Sequence, residues 1–136
     1  MRRKAFFGVA AILFASLSPV AAAGDGEWAP DAPLIAGIET AFRAQMASGM
    51  TDIGNHPAQA PASLDGYVRT YAGETVRGER IVVGALVDAA MLGKPPGIVI
   101  GTMETLPQVS DGGCGVMHLW YHVETHKIET VCNFRL

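Results

Sequence analysis

The sequence predicts an α+β domain in which one N-terminal helix packs on an antiparallel sheet of about five strands in meander order. Apolar residues recur at helical spacing in one segment, residues 34–48. The rest of the chain consists of alternating or β-branched runs separated by glycine and proline. One amphipathic helix beside several such runs is typical of the α+β class. We therefore expect residues 34–136 to form a single domain.

The first 23 residues predict an export signal. The basic segment Met1–Lys4 precedes a 13-residue apolar run, Ala5–Leu17, and small residues follow at Ala21–Ala23. That run is shorter than the roughly 18–20 residues that span a bilayer, so we expect no membrane span after signal removal. Cleavage after Ala23 leaves 113 residues with seven basic and thirteen acidic side chains, a net charge of −6. This charge argues against nucleic acid or an anionic membrane surface as partner.

The helix is predicted at Leu34–Ser48, after a flexible lead-in at residues 24–33 that is rich in glycine, aspartate and proline. Asp31 is a plausible N-terminal start signal. Glu39 and Arg43 are four residues apart and are expected to form a weak surface pair. The apolar stripe that predicts the helix consists of Leu34, Ile38, Phe42 and Met46, widened by Ile35 and Ala41.

A long loop is predicted after the helix, at Met50–Gly66. This segment carries two prolines and shows no sustained hydrophobic period. Loops of this length are uncommon unless they are functional or mobile. We therefore expect the loop to be one of two binding surfaces.

The remaining chain is predicted to form five strands. Arg80–Val87 is apolar on both faces, as a central strand should be. In the first strand Tyr67, Arg69 and Tyr71 share one face, and half-burial in the sheet is the preferred interpretation of the two tyrosines. The predicted strands are Tyr67–Ala72, Arg80–Val87, Gly97–Met103, Val116–Val123 and Lys127–Phe134.

The last two strands predict a hairpin of defined register. Both segments alternate, and their apolar residues meet on one face only when paired residue numbers sum to an odd value. A sum of 249 leaves the four-residue loop Val123–His126, a common hairpin length. His126 then occupies a position where a positive φ is expected, which histidine tolerates better than β-branched residues. This register pairs Tyr121 with Ile128, Leu119 with Thr130 and Met117 with Cys132.

Cys114 and Cys132 are the two cysteines, and we expect them to form a disulfide in an oxidising compartment. The bridge would close a ring of 19 residues, worth about 3 kcal/mol in the chain-entropy model. The register above places Cys114 about 10 Å beyond Met117 along an extended strand, whereas a bridge needs Cα atoms within about 7 Å. Either the chain bends at Gly112–Gly115, or the register or the bridge is wrong.

Histidines 118, 122 and 126 are spaced four apart, which on a helix would allow two of them to grip one metal ion. On a strand four residues span about 13 Å, too far for a shared ion. The alternation favours a strand, so we predict no metal site and no cofactor. His118, Trp120 and His122 instead line the outer face of the hairpin, where Trp120 needs a cover or a partner to explain it. The candidate binding surface is His118, Trp120, His122, Glu129 and Arg135.

An enzymatic alternative remains open. Glycines around Cys114 are similar to those of a nucleophile elbow, so a thiol hydrolase could use Cys114 with a histidine. A metal-dependent hydrolase could use the histidines. However, an elbow normally joins a strand to a helix, and here a strand follows. In an exported protein, Cys132 would also be expected to form a disulfide with Cys114 and so remove the free thiol.

The C-terminal stretch Asp111–Val116 (DGGCGV), followed by Tyr121 and Cys132-Asn133, resembles small exported proteins of proteobacteria that have no assigned activity. The likeness covers at most residues 67–133. It implies export and paired cysteines, and it implies no catalytic or binding residue.

The sequence therefore favours a non-enzymatic module, periplasmic or secreted, with a binding or accessory role. Its small size, acidic charge, expected disulfide and lack of a convincing catalytic set support this hypothesis. We expect the outer sheet face and the Met50–Gly66 loop to contact a protein or another envelope component.

Overall fold

The computed structural model of the protein describes residues 25–48, 61–110 and 112–133. Its main helix packs on one mixed sheet, which confirms the predicted α+β class. The elements in chain order are β1 (Gly26–Trp28), α1 (Ala32–Ala47), β2 (Tyr67–Val76), β3 (Glu79–Asp88), α2 (Ala89–Leu92), β4 (Gly97–Ile100), a 3-10 helix (Met103–Thr105), β5 (Gly113–His122) and β6 (Lys127–Asn133).

The sheet places five strands in the order β1-β2-β3-β5-β6, with every neighbouring pair antiparallel. One connection differs from a simple meander. β4 does not follow β3 in the sheet but pairs in parallel with residues 68–71 of β2, along the edge that β1 shares at residues 73–75. The other side of β3 is taken by β5, which forms a ladder of seven residue pairs. A four-residue strand could not match that ladder.

The predicted lead-in, residues 24–33, contains β1 and the start of α1. Trp28 pairs with Gly73, and a Cβ atom at Gly73 would lie 2.5 Å from the Trp28 indole. Glycine is therefore required here for the close approach of the indole to the β2 backbone. β2 continues through Gly73, and its turn lies at Arg77-Gly78, where both φ angles are positive. That geometry is typical of a tight hairpin turn.

The predicted start signal Asp31 is confirmed as the N-cap of α1, since its carboxylate accepts a hydrogen bond from the Leu34 amide at 2.9 Å. The helix begins at Ala32, two residues before the predicted start. The face that it buries is rotated from the predicted stripe. Leu34 and Met46 are only partly buried, and Ala41 is exposed. The fully covered side chains of the helix are Ile35, Ile38, Glu39 and Phe42.

The sheet carries an apolar cluster on each face. Beneath α1, the inner cluster joins Ile38 and Phe42 of the helix to Tyr71, Leu86 and Leu119 of the strands. The segment between β4 and β5 crosses the opposite face and brings Leu106 onto it. This outer cluster consists of Ala72, Val83, Ala85 and Leu106, with Ile81, Met103 and Trp120 packed against it.

The predicted register of the C-terminal hairpin is confirmed. Met117 pairs with Cys132, Leu119 with Thr130 and Tyr121 with Ile128. The chain turns at residues 123–126, and His126 has a φ of 59° as expected. The inward side chains Met117, Leu119 and Tyr121 are buried in the inner cluster. Alternation therefore specifies the pairing here, because a shift by one residue would expose this set.

The predicted disulfide is also present, with 2.00 Å between the sulfur atoms and 4.6 Å between the Cα atoms of Cys114 and Cys132. The conflict between bridge and register is resolved by a bend in the chain. Gly113 has a φ of 54°, and the Gly115 amide donates to the Gly112 carbonyl at 3.0 Å. The ladder is interrupted between Gly113 and Met117, which brings Cys114 back over β6.

Candidate functional site

Four of the five predicted surface residues lie on the outer face of β5 and β6, and Arg135 lies outside the described residues. They do not form one group. His118 and Trp120 lie beside the outer cluster, whereas His122 and Glu129 belong to a charged cluster nearer the turn.

Trp120 packs against the outer apolar cluster that includes Leu106. The apolar cluster on which this indole packs is therefore formed partly by the crossing segment of the chain itself, through Leu106. The His118 ring lies 6.2 Å from the Trp120 ring. Burial lowers the pKa of His118 below its ordinary value, because the apolar surroundings disfavour the charged imidazole.

His122 is held between two carboxylates. Its Nδ1 is hydrogen-bonded to Glu79, and its Nε2 lies 2.9 Å from Glu129. Hydrogen bonds to Glu79 and Glu129 raise the pKa of His122. The Lys127 ammonium donates to Glu129 at 2.6 Å and, with His122, lowers the pKa of that carboxyl. Both imidazole nitrogens are thus engaged in ion pairs.

The third histidine lies apart from the other two. His126 occupies the turn, where its Nδ1 is hydrogen-bonded to the Tyr121 hydroxyl at 2.6 Å. Within residues 25–48, 61–110 and 112–133, no three His, Cys, Asp or Glu side chains are placed to hold one metal ion. The extended backbone of β5 separates the imidazoles that a helix would have gathered.

Cys114 cannot act as a thiolate nucleophile in this state, because its sulfur is bonded to Cys132. Its backbone has a structural role as well, since the Tyr67 hydroxyl donates to the Cys114 carbonyl at 2.9 Å.

A buried polar network beneath α1 is the feature that sequence reasoning missed. The Glu39 carboxylate accepts hydrogen bonds from Arg69 Nε at 2.5 Å and from the Tyr71 hydroxyl at 3.0 Å. Arg69 Nη1 also donates to the carbonyls of Leu64 and Tyr67. Burial, together with the Glu39 charge, raises the pKa of Tyr71. The network ties the helix to β2 and to the residues before it.

The predicted Glu39–Arg43 pair is present, but its location at the surface is corrected, because Glu39 is buried. Glu39 is 7% exposed, and its close partner is Arg69, while Arg43 lies 3.6 Å away and also pairs with Asp65. The sequence did contain a signal for this network. Arg69 lies between Tyr67 and Tyr71 on the inward face of β2, and a buried guanidinium requires a carboxylate opposite it.

β4 is the most exposed apolar element in the described part of the chain. Ile98 and Val99 are each 47% exposed and Ile100 is 42% exposed. β4 pairs with β2 on one side, and no described strand pairs with its other side. The sequence signal was Pro95-Pro96 directly before it, since prolines are confined to sheet edges and strand ends.

The predicted loop Met50–Gly66 is described from residue 61 onward. A cavity of about 200 Å³ lies between the end of α1 and residues 61–64. Among the described residues, Arg43 is the one charged side chain in its lining, and that guanidinium is paired with Asp65. Ser63 also lines the cavity, and its hydroxyl oxygen accepts a hydrogen bond from the Asp65 amide at 3.1 Å. The other described lining side chains are apolar.

None of the helices in the described ranges is long and apolar enough to cross a membrane. No protein family, curated protein or solved structure matches this chain.

Proposed function

We propose that this protein is an exported, non-enzymatic binding module that joins an extended polypeptide segment to its sheet along β4. The observation that carries the proposal is the side of β4 that faces away from β2, because no described strand pairs with it and its three consecutive apolar residues are each more than 40% exposed. Such an edge is a template for a further strand.

No described strand pairs with the outer hydrogen-bonding groups of β4. The Gly101 amide donates to the Tyr71 carbonyl at 2.8 Å, so the polar groups of Gly101 and Val99 point toward β2. Successive residues of a strand point their amides to opposite sides. The amides and carbonyls of Ile98 and Ile100 therefore point outward, where an added strand supplies partners for them.

The side chains of β4 favour an apolar segment as ligand. Ile98 and Ile100 pair with Arg69 and Tyr71 and so lie toward the α1 face, while Val99 lies on the outer face. An added strand would meet apolar side chains on both faces. The opposite sheet edge, β6, carries Lys127 and Glu129 in an ion pair, and charged edges resist strand addition.

The disulfide and the N-terminal segment support export. Bridges such as Cys114–Cys132 persist mainly in oxidising compartments, and residues 1–23 have the pattern of a secretory signal. The ligand would then be a protein or another envelope component outside the cytoplasm. The bridge also weakens the thiol-hydrolase alternative, which requires a free thiolate at Cys114.

Site-specific photo-crosslinking in cells that produce the protein tests the binding surface. A photoreactive amino acid replaces Val99 on β4, Val131 on the outer face of β6, or Thr125 in the exposed turn. We expect a discrete adduct from position 99 and none from position 125. An adduct from position 131 alone would place the binding surface on the outer face and contradict the proposal. The absence of an adduct from both position 99 and position 131 would also contradict it.

Cell fractionation and intact-mass measurement test export. We expect the protein in the periplasm or the medium, with a mass corresponding to residues 24–136 minus the two thiol hydrogens lost in the disulfide. A cytoplasmic protein that retains residues 1–23 would contradict this part of the proposal.

A further inference from the structure

We propose that the segment added to β4 is β4 of a second copy of this chain, paired antiparallel about a two-fold axis at Val99. This inference rests on the binding function proposed above and specifies its occupant. It is carried by three properties of the strand: the positions of its outward hydrogen-bonding groups, its side-chain pattern and the charges that flank it.

The outward backbone groups match their own two-fold image. In antiparallel strands, two residues that both point toward the partner exchange a pair of hydrogen bonds. Ile98 and Ile100 both point outward, because Gly101 and Val99 point toward β2. Pairing Ile98 with Ile100 of the second copy, and the reverse, forms four hydrogen bonds around Val99. Centring the axis on either isoleucine would reduce this number.

The side chains match in the same register. The two-fold axis is perpendicular to the sheet, so each face of one copy continues into the same face of the other. Val99 then lies opposite its own equivalent as a non-hydrogen-bonded pair, the closer of the two antiparallel pair types. Each isoleucine lies beside an isoleucine on the α1 face. These apolar side chains are now 42–47% exposed and would be covered.

The nearest flanking charges are complementary in this register. Between Lys94 and Glu104 the chain carries no charged residue, and each lies five positions from Val99. Antiparallel pairing about Val99 brings Lys94 of one copy to the same end of the interface as Glu104 of the second. The arrangement occurs twice by symmetry, and no like charges are opposed.

The geometry produces a closed dimer and not a fibre. Pro95-Pro96 cannot donate backbone hydrogen bonds and so ends the pairing on one side, and the chain turns away after Gly101 into the 3-10 helix. Once two β4 strands have paired, neither copy retains a free β4 edge. Two four-residue strands bury less than the roughly 1,600 Å² of a standard interface, so the dimer should depend on protein concentration.

Sedimentation equilibrium of the mature protein over a concentration series tests the proposal. We expect a monomer–dimer equilibrium that Val99→Lys weakens by roughly tenfold or more, because it places two like charges opposite each other and removes apolar cover. Val131→Lys is the matched control, a 40% exposed valine on β6, and should leave the equilibrium unchanged. Thermal unfolding of both variants verifies that each is folded.

Charge exchange tests the register. Lys94→Glu and Glu104→Lys should each weaken the dimer by about two- to tenfold, and the double variant should restore it. Equal association of all these variants would overturn the Val99-centred register.

The outcomes separate this inference from the proposed function. A protein that is monomeric at every concentration, with a position-99 adduct to a different polypeptide, would overturn self-pairing and retain the binding function. A dimer unaffected by Val99→Lys would also overturn self-pairing. A monomer without any position-99 adduct would overturn both.

Discussion

At the scale of single residues, the Glu39 carboxylate determines how the helix sits on the sheet. Its partners Arg69 and Tyr71 come from β2, so the helix is rotated until the carboxylate faces them. Burying an ion pair carries a large desolvation cost, and losing one member of such a pair leaves the other charge uncompensated. We therefore infer that the network contributes more to fixing one orientation of α1 than to the free energy of unfolding.

Tyr71→Phe and Glu39→Gln should destabilise the protein to different extents. Tyr71→Phe removes one hydroxyl donor and should lower the free energy of unfolding by about 1–2 kcal/mol. Glu39→Gln leaves the Arg69 cation without its counter-charge and should cost about 3–5 kcal/mol. Urea unfolding measures both values. If Glu39→Gln were no worse than Tyr71→Phe, the carboxylate would not be the centre of the network.

His122 should stabilise the fold at acidic pH. Its pKa is raised above the ordinary 6.5, so its contribution to the free energy of unfolding is fully present below about pH 6.5 and is lost as the pH rises through the folded-state pKa. The stability difference between wild type and His122→Gln should therefore shrink as the pH rises from about 5 to about 9. A difference that does not change with pH would contradict the ion pairs with Glu79 and Glu129.

His118→Gln provides the contrast for that measurement. Burial lowers the pKa of His118, so the folded state binds fewer protons there than the unfolded chain. Wild type should lose stability relative to His118→Gln as the pH falls below about 6.5, the opposite direction to His122. If the stability difference from wild type changed with pH in the same direction for both variants, the two histidines would not lie in these environments.

Residue-level features with local causes could be predicted from the sequence. The Asp31 cap and the positive φ of His126 depend on a few neighbouring residues. The partner of Glu39 could not be predicted in this way, because Arg69 is 30 positions away and the apolar stripe allows several rotations of the helix. Helix periodicity indicates a face, whereas the exact contact of that face depends on the strand beneath it.

At the scale of elements, the C-terminal hairpin shows how strongly period-two alternation constrains a strand pair. Both the register and the turn were predictable, because any shift by one residue would expose Leu119 and Tyr121. β4 shows the opposite case. Its three apolar residues are consecutive and do not alternate with polar ones, so their pattern carries no information about which strand lies beside them.

Removing the bridge should weaken the protein without changing its fold. The double variant Cys114→Ser, Cys132→Ser should lower the free energy of unfolding by about 3 kcal/mol, because the unfolded chain gains the freedom of an open 19-residue ring. Chemical unfolding of the variant and of reduced wild type should agree to within about 1 kcal/mol. A loss of native circular dichroism would instead mean that the bridge is required to form β5 and β6.

At the scale of the whole molecule, two different layers cover the sheet. α1 covers one face, as the sequence predicts, and the crossing segment with Leu106 covers part of the other. The second layer was not predictable, because a short 3-10 turn with scattered apolar residues has no period. Its position follows from the transfer of β4 to the far edge, which forces the chain to return across the sheet.

Leu106→Ala tests whether the second layer contributes to stability. Leu106 is 8% exposed, so its truncation should cost about 2–3 kcal/mol, at the lower end for buried leucines because the site is near the surface. Ile98→Ala is the control, since that side chain is 47% exposed and should change stability by less than about 0.5 kcal/mol in dilute solution. Equal effects would mean that the crossing segment does not pack on the sheet.

The crossing segment also links the edge strand to both tryptophans of the protein. Gly101 and Thr102, directly after β4, line a hollow with Trp28, and Leu106, four residues later, belongs to the cluster that holds Trp120. A shift of β4 on binding is therefore expected to change the surroundings of an indole. Intrinsic fluorescence should consequently report occupancy of this edge without an added label, even for a ligand that never touches an aromatic ring.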